Sequence, residues 1–260
     1  MKRRQLLQYA SATLVGTLGL GVASNVRTSS FQAQAQSASL TITSLGHTSF
    51  LFAGGGYRIV TNPFKADGCT AGYRESALDA DLVLVSAKHL LDEGYTENYA
   101  GVPTLDEPGD FTAVGRLPVQ GISMPHDRVN GRRYGTNIAW IWQQAGIKVV
   151  HLGSAAASIA IEDKILIGKP DVLLLPVGGG PKGYTPEEAV AAINALTPKV
   201  IVPTHYRTQA ASDSCELGGV NEFIALMSGT PVTQGDSMLT LEAASLPSSG
   251  MRIEVLSYAF

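Results

Sequence analysis

No stretch of this sequence is apolar for long enough to cross a bilayer. The best candidate, residues 9–23 (YASATLVGTLGLGVA), offers about 15 residues where a helical span takes about 20, which argues against a permanent anchor. Beyond residue 35 no basic stripe with interleaved aromatics is present, so there is nothing to grip a nucleic-acid backbone. A GxSxG elbow is also missing, which disfavours a serine hydrolase. After residue 40 there is no low-complexity tract or linker, so a second, loosely tethered domain is not expected. Cysteine is scarce: Cys69 and Cys215 each lie in a polar loop (ADGCTAG and SDSCELGG). An oxidising compartment would allow them to pair, but the sequence leaves a disulfide and two independent thiols both open.

What is present begins with residues 1–35. MKRRQLLQ is basic, an apolar Gly/Ala/Thr-rich stretch follows, and AQA at 33–35 offers small residues for cleavage. This reads as a removable export signal. Arg3-Arg4 ahead of Leu6-Leu7 resembles a twin-arginine signal, so a periplasmic or equivalent location is expected, with residues 36–260 forming one mature domain. Cleavage would remove Lys2, Arg3, Arg4 and Arg27 and no acid, moving the formal charge from −3 to −7. No stable membrane insertion is then expected.

Short β-rich runs open the mature chain: SLTITS (39–44), TSFLFA (48–53) and YRIVT (57–61), the last two separated by the turn Gly54-Gly55-Gly56. DLVLVS (81–86), LPVQGISM (117–124), NIAWIW (137–142), IKVVHL (147–152), DVLLLPV (171–177) and KVIVP (199–203) follow, several of them apolar enough to be covered on both faces. Thr185-Pro186-Glu187-Glu188 before AVAAINAL places a cap, a first-turn proline and a reciprocating glutamate at the start of a helix. NEFIALMS (221–228) suggests another helix, whereas AASIAIEDKILIG (156–168) fits a helix or a strand. The order predicts a layered α/β sandwich rather than a doubly wound sheet.

Four of the five histidines follow strand-like runs: His89 after LVLVS, His126 after ISMP, His151 at the end of IKVV and His205 after VIVPT. The fifth, His47, sits between two short strands in LGHTSF. Strand ends on one edge of a sheet converge, and imidazole is a common ligand for zinc and similar ions.

In LGHTSFLF, IVTNPF, DLVLVSAKHLLD, HDRVNGRRYGTN, KVVHLGS, DVLLLPVGG and LTPKVIVPTHY, taken in this order and spacing, the chain resembles the metallo-β-lactamase fold. Within it the chain is similar to the L-ascorbate-6-phosphate lactonase-like metal-dependent hydrolases. The resemblance implies a four-layer αββα sandwich whose loops hold one or two metal ions at one edge of the sheets. It also implies that 87–92 corresponds to a His-x-His-x-Asp-His motif. Here Ala87 stands at the first His, His89 keeps the second, Leu91 replaces the Asp and Asp92 the last His. His151 matches the histidine of an HxGD motif whose Asp position is Ser154, and His205 matches the last ligand. Asn62 stands where an acid is usual.

These replacements remove about two negative charges, and without a bridging carboxylate two divalent ions would repel strongly. The resemblance therefore implies at most one divalent ion, zinc first and manganese or iron as alternatives, on His89, His151, His205 and Asp92. Asp92, His47 and His126 are the candidate proton carriers for hydrolysis of a small ester, lactone or phosphodiester. The other readings are a non-catalytic descendant that binds a small ligand, an anion or a metal in the old cleft, and a supporting domain for a partner protein. Lys88 reads as a solvated cation and Gly178–Gly183 as a wall of the site, with anion binding the weaker reading of each.

Overall fold

The computed structural model describes residues 39–258; the expected export segment 1–35 lies outside the described residues. In chain order the strands are β1 (Ser39–Gly46), β2 (Ser49–Gly54), β3 (Tyr57–Thr61), β4 (Leu82–Leu84), β5 (Thr104–Leu105), β6 (Gly109–Thr112), β7 (Pro118–Pro125), β8 (Thr136–Gln144) and β9 (Ile147–His151). Helix α1 (Ile161–Ile167), β10 (Val172–Pro176), α2 (Pro186–Leu196), β11 (Val200–Thr204), α3 (Val220–Leu226), β12 (Val232–Gln234), β13 (Met238–Glu242) and β14 (Arg252–Val255) complete the domain. The segment that fits either a helix or a strand is thus helical over 161–167.

One sheet has the order β13-β1-β2-β3-β4-β5 and the other β12-β14-β11-β10-β9-β8-β7-β6. Alternation along the strands decides what each face meets. Leu40, Ile42, Phe50, Phe52 and Ile59 of the first sheet pack against Trp140, Trp142, Val149, Leu174 and Val202 of the second. The opposite face of the second sheet, with Ala139, Ile141, Val150, Leu173 and Ile201, receives Ile167, Ala189, Ile193, Leu196 and Phe223 from the helices. Outside the first sheet the cover is thinner, a small cluster of Leu51, Val60, Val83 and Val85 under Tyr99 of the 3-10 turn Glu97–Tyr99. Among the described residues the αββα order is present with this outer helical layer reduced to irregular segments and that turn.

Local chemistry fixes the elements that reach the site. The hairpin β2–β3 pairs antiparallel around the three glycines, all with positive φ. Helix α2 starts where its capping box predicts: the Glu188 amide donates to Thr185 Oγ1 at 3.3 Å and the Thr185 amide to Glu188 Oε2 at 2.8 Å. Cys69 and Cys215, 146 positions apart in sequence, are joined in a disulfide with Cα atoms 4.8 Å apart. Of the two alternatives open for the cysteines, the fold adopts the paired one.

Candidate functional site

The ends of β1 and β11, from different sheets, meet at one edge of the sandwich. His47 lies in the tight turn between β1 and β2 and His205 directly follows β11; both adopt left-handed φ, 56° and 50°. A non-glycine residue held there costs free energy that the surroundings must offset, so the turns are built to aim these rings. The His205 amide donates to the His47 carbonyl at 3.3 Å and the rings lie 4.5 Å apart between centroids. Asp92, from the loop after β4, faces them, its Oδ2 lying 3.8 Å from His47 Nε2. Ligand atoms of His47, Asp92 and His205 all lie within 4.8 Å of one another. Neither ring nitrogen of His47 nor Nδ1 of His205 has a hydrogen-bond partner among the described residues. Buried nitrogens without partners are costly, and a cation would satisfy them.

A cavity of about 510 Å³ opens onto this cluster, lined by His47, His89, Asp92, Lys182, His205 and Leu217 among others. That size suits a small molecule. Leu91 is 61% exposed on the cavity wall, so it does not fill the centre with hydrocarbon. Lys88 also points away, held by Glu107 and by Asp106 at 3.7 Å. The Gly178–Gly183 loop spends two amides internally, Gly178 on the His205 carbonyl and Gly179 on the Tyr184 carbonyl, and presents Pro181 and Lys182 to the cavity. In GRRYG, the amides of Gly131, Arg133 and Tyr134 wrap around the Asp127 carboxylate, which holds its pKa down at about 2 against the opposing effect of burial.

The other predicted residues are placed differently. His151 lies on the same face of β9 as Ile147 and Val149, which points it between the sheets toward Phe50, 5.9 Å away. Its Nε2 donates to the Thr48 carbonyl at 2.9 Å and its Nδ1 accepts from the Gly153 amide at 2.9 Å. Both nitrogens are committed, and burial pushes the ring down to about 4 against the support of Thr48, so it stays neutral. The structure does not bring His151 into the cluster. His89 lines the cavity from its rim, its Nε2 2.7 Å from the Tyr134 carbonyl and its ring 6.3 Å from that of His126. His126 is buried, with Nε2 2.7 Å from Ser154 Oγ; burial, then the Lys182 charge, lower it to about 4.

Two residues went unnoticed in the sequence. The Lys182 ammonium pairs directly with Asp92 Oδ2. Burial works to raise the Asp92 carboxyl, but His47 and Lys182 outweigh it and hold the group well below the carboxylate range. Glu93 is fully buried and neither carboxyl oxygen completes a hydrogen bond among the described residues, although Ser154 lies beside it. Burial and the Asp92 charge push it up to about 8. The folded protein thus keeps a proton that an unfolded chain releases near 4.5, and stability falls as pH rises toward 8. Above about 7.5, where unfolded-state histidines have largely lost their protons, Glu93→Gln is expected to flatten a slope of up to about 1.4 kcal/mol per pH unit. The difference between the urea midpoints of the two metal-free proteins from about pH 7 to 8 would check this; parallel curves would place the slope elsewhere.

Against known proteins, the β-lactamase superfamily domain model matches residues 41–205. A metal-dependent hydrolase of Thermococcus onnurineus is 27% identical over 193 residues, 63% of this chain and 83% of the relative. Another from Thermus thermophilus is 29% identical over 195 residues, 63% and 82% of the two chains. Among solved structures, a metallo-β-lactamase superfamily protein of Thermotoga maritima, for which zinc-dependent hydrolysis has been suggested, superposes with a TM-score of 0.64. It is 27% identical, over 85% of this chain and 100% of the other. Strand order, the sandwich with its site at one edge, and a family match spanning more than half of the sequence agree: the chain belongs to the β-lactamase superfamily.

Proposed function

We propose that the protein is a metal-dependent hydrolase acting on a small molecule, with a single divalent ion on His47, Asp92 and His205. The observation that carries this reading is the convergence of three donors, with orphaned buried nitrogens, on the wall of a cavity of about 510 Å³. Two imidazoles and a carboxylate are a borderline nitrogen and oxygen set suited to zinc, with manganese or iron as alternatives, and three protein ligands leave a position open. The relatives named above as metal-dependent hydrolases support the same reaction class. A metal at such a site supplies Lewis acidity for hydrolysis of an ester, lactone or phosphodiester.

The chain's own groups have separate tasks. His205 presents a neutral nitrogen, since burial, then the charges of His47 and Lys182, keep it well below its ordinary range. Asp92 stays ionised and is the anionic ligand. His89, on the cavity rim, is the accessible imidazole for proton transfer with a substrate, while the buried pair His126–Ser154 backs the centre from within. Export through the twin-arginine route belongs to this proposal, and a disulfide fits an oxidising compartment.

Tag-free protein purified without chelators is expected to hold about one zinc, manganese or iron per chain by elemental analysis. It should then turn over a member of a lactone, ester and phosphodiester panel. Absence of metal after dialysis against excess zinc would overturn the reading.

A further inference from the structure

Lys182 stands out because its ammonium occupies the carboxylate that the candidate metal centre needs. The same Asp92 Oδ2 that faces His47 is the atom to which Lys182 Nζ is paired, and the lysine side chain is only 17% exposed. Its charge reaches the whole cluster, acting also on His205, His126 and Glu93. The placement is built. Arg128 Nη1 donates to the Gly180 carbonyl at 3.0 Å and Nη2 to the Gly183 carbonyl at 2.8 Å, pinning the loop on both sides of Lys182. Arg128 Nε in turn donates to Glu188 Oε1 at 2.7 Å, in the first turn of α2.

We propose that Lys182 is a tethered cation that competes with the metal ion for Asp92, setting both the affinity of the centre and its limit of one ion. This inference rests on the metal reading above. Ligand atoms bound to one tetrahedral zinc lie about 3.4 Å apart, so a cluster spread over 4.8 Å has to draw in around an ion. An ammonium on Asp92 opposes that contraction twice, by holding the carboxylate and by repelling a dication at short range in a buried setting. With the loop backbone pinned, the ammonium leaves Asp92 by rotation about its own side-chain bonds, and its charge stays in the cavity after an ion has entered. A second divalent ion then meets a positive charge where a carboxylate would be needed to accept it.

Zinc affinity, measured by competition with a chromophoric chelator at one pH and salt concentration, tests this in wild type, Lys182→Met, Lys182→Gln and Lys182→Arg. The Met and Gln variants are expected to bind zinc at least tenfold more tightly than wild type, and the Arg variant within about threefold of it. Equal or weaker binding by both neutral variants, with wild type binding zinc normally, would overturn the role of Lys182 and leave the metal centre standing. No zinc in any variant, or zinc binding unaffected by His205→Ala, would overturn the metal reading and this inference together.

Discussion

Replacing His205 by alanine is expected to reduce zinc affinity by more than about 100-fold while the protein stays folded, whereas His151→Ala is expected to do the reverse. Loss of an outer partner of a metal ligand already costs about 10- to 100-fold in affinity, and His205 is proposed as a ligand itself. Its ring lies beside a cavity, with Nδ1 unpartnered, so truncation orphans no protein hydrogen bond at that atom. His151 is different. Its removal leaves the Thr48 carbonyl and the Gly153 amide without their partner and empties a ring-sized volume beside Phe50. A cost of about 3–5 kcal/mol follows from the cavity and the orphaned groups.

His151 also sets a pH dependence. Its folded-state pKa lies near 4 against an ordinary 6.5, so between these values an unfolded chain binds a proton that the folded ring refuses. Stability is fully present above 6.5 and is lost as pH falls toward 4, at up to about 1.4 kcal/mol per unit for this group. His126 adds in the same direction, and Glu93 opposes both between 4.5 and 6.5. Urea midpoints and zinc stoichiometry of His151→Ala and His205→Ala, measured side by side, check the split. A His151→Ala protein that is stable but metal-free would reverse the two roles.

Much of the fold and part of the candidate site can be read from local sequence. The strands, the triglycine hairpin and the start of α2 were legible because alternation, glycine and a capping box act locally. His47, Asp92 and His205 could be singled out since each sits just past a strand or in the loop that leaves one. His151 also sits at a strand end, but in a central strand flanked by β8 and β10. Its parity with Ile147 and Val149, readable in IKVVH, already pointed it into the core. Motif position and parity point different ways here, and in the described fold the ring follows parity, toward Phe50. Lys182 gave no signal because 90 residues separate it from Asp92 and only the pinned loop joins them. Glu93 gave no signal either, since its burial depends on the third dimension alone.

Removing the disulfide, by Cys69→Ser with Cys215→Ser, is expected to destabilise the domain by up to about 5 kcal/mol, the loop-closure value for a ring of this size. The bond joins the 3-10 turn Gly68–Thr70 to the loop before α3, and both segments line the cavity. Those segments are also tied by backbone hydrogen bonds, Gly72 to the Ala210 carbonyl at 2.7 Å and Ser212 to the Gly68 carbonyl at 3.0 Å. The native geometry therefore does not depend on the covalent link, and most of the loss falls on the unfolded chain, whose freedom the link restricts. Zinc stoichiometry should be unchanged, because His47 and His205 are carried by strand ends outside the cross-linked turns. The export proposal adds a constraint. A chain that crosses a membrane already folded forms its disulfide afterwards, so the reduced protein must hold its fold unaided. Denaturant curves with and without reductant would test both statements: a shift below about 1 kcal/mol would contradict the loop-closure argument. A reduced protein unfolded in buffer would count against the twin-arginine route.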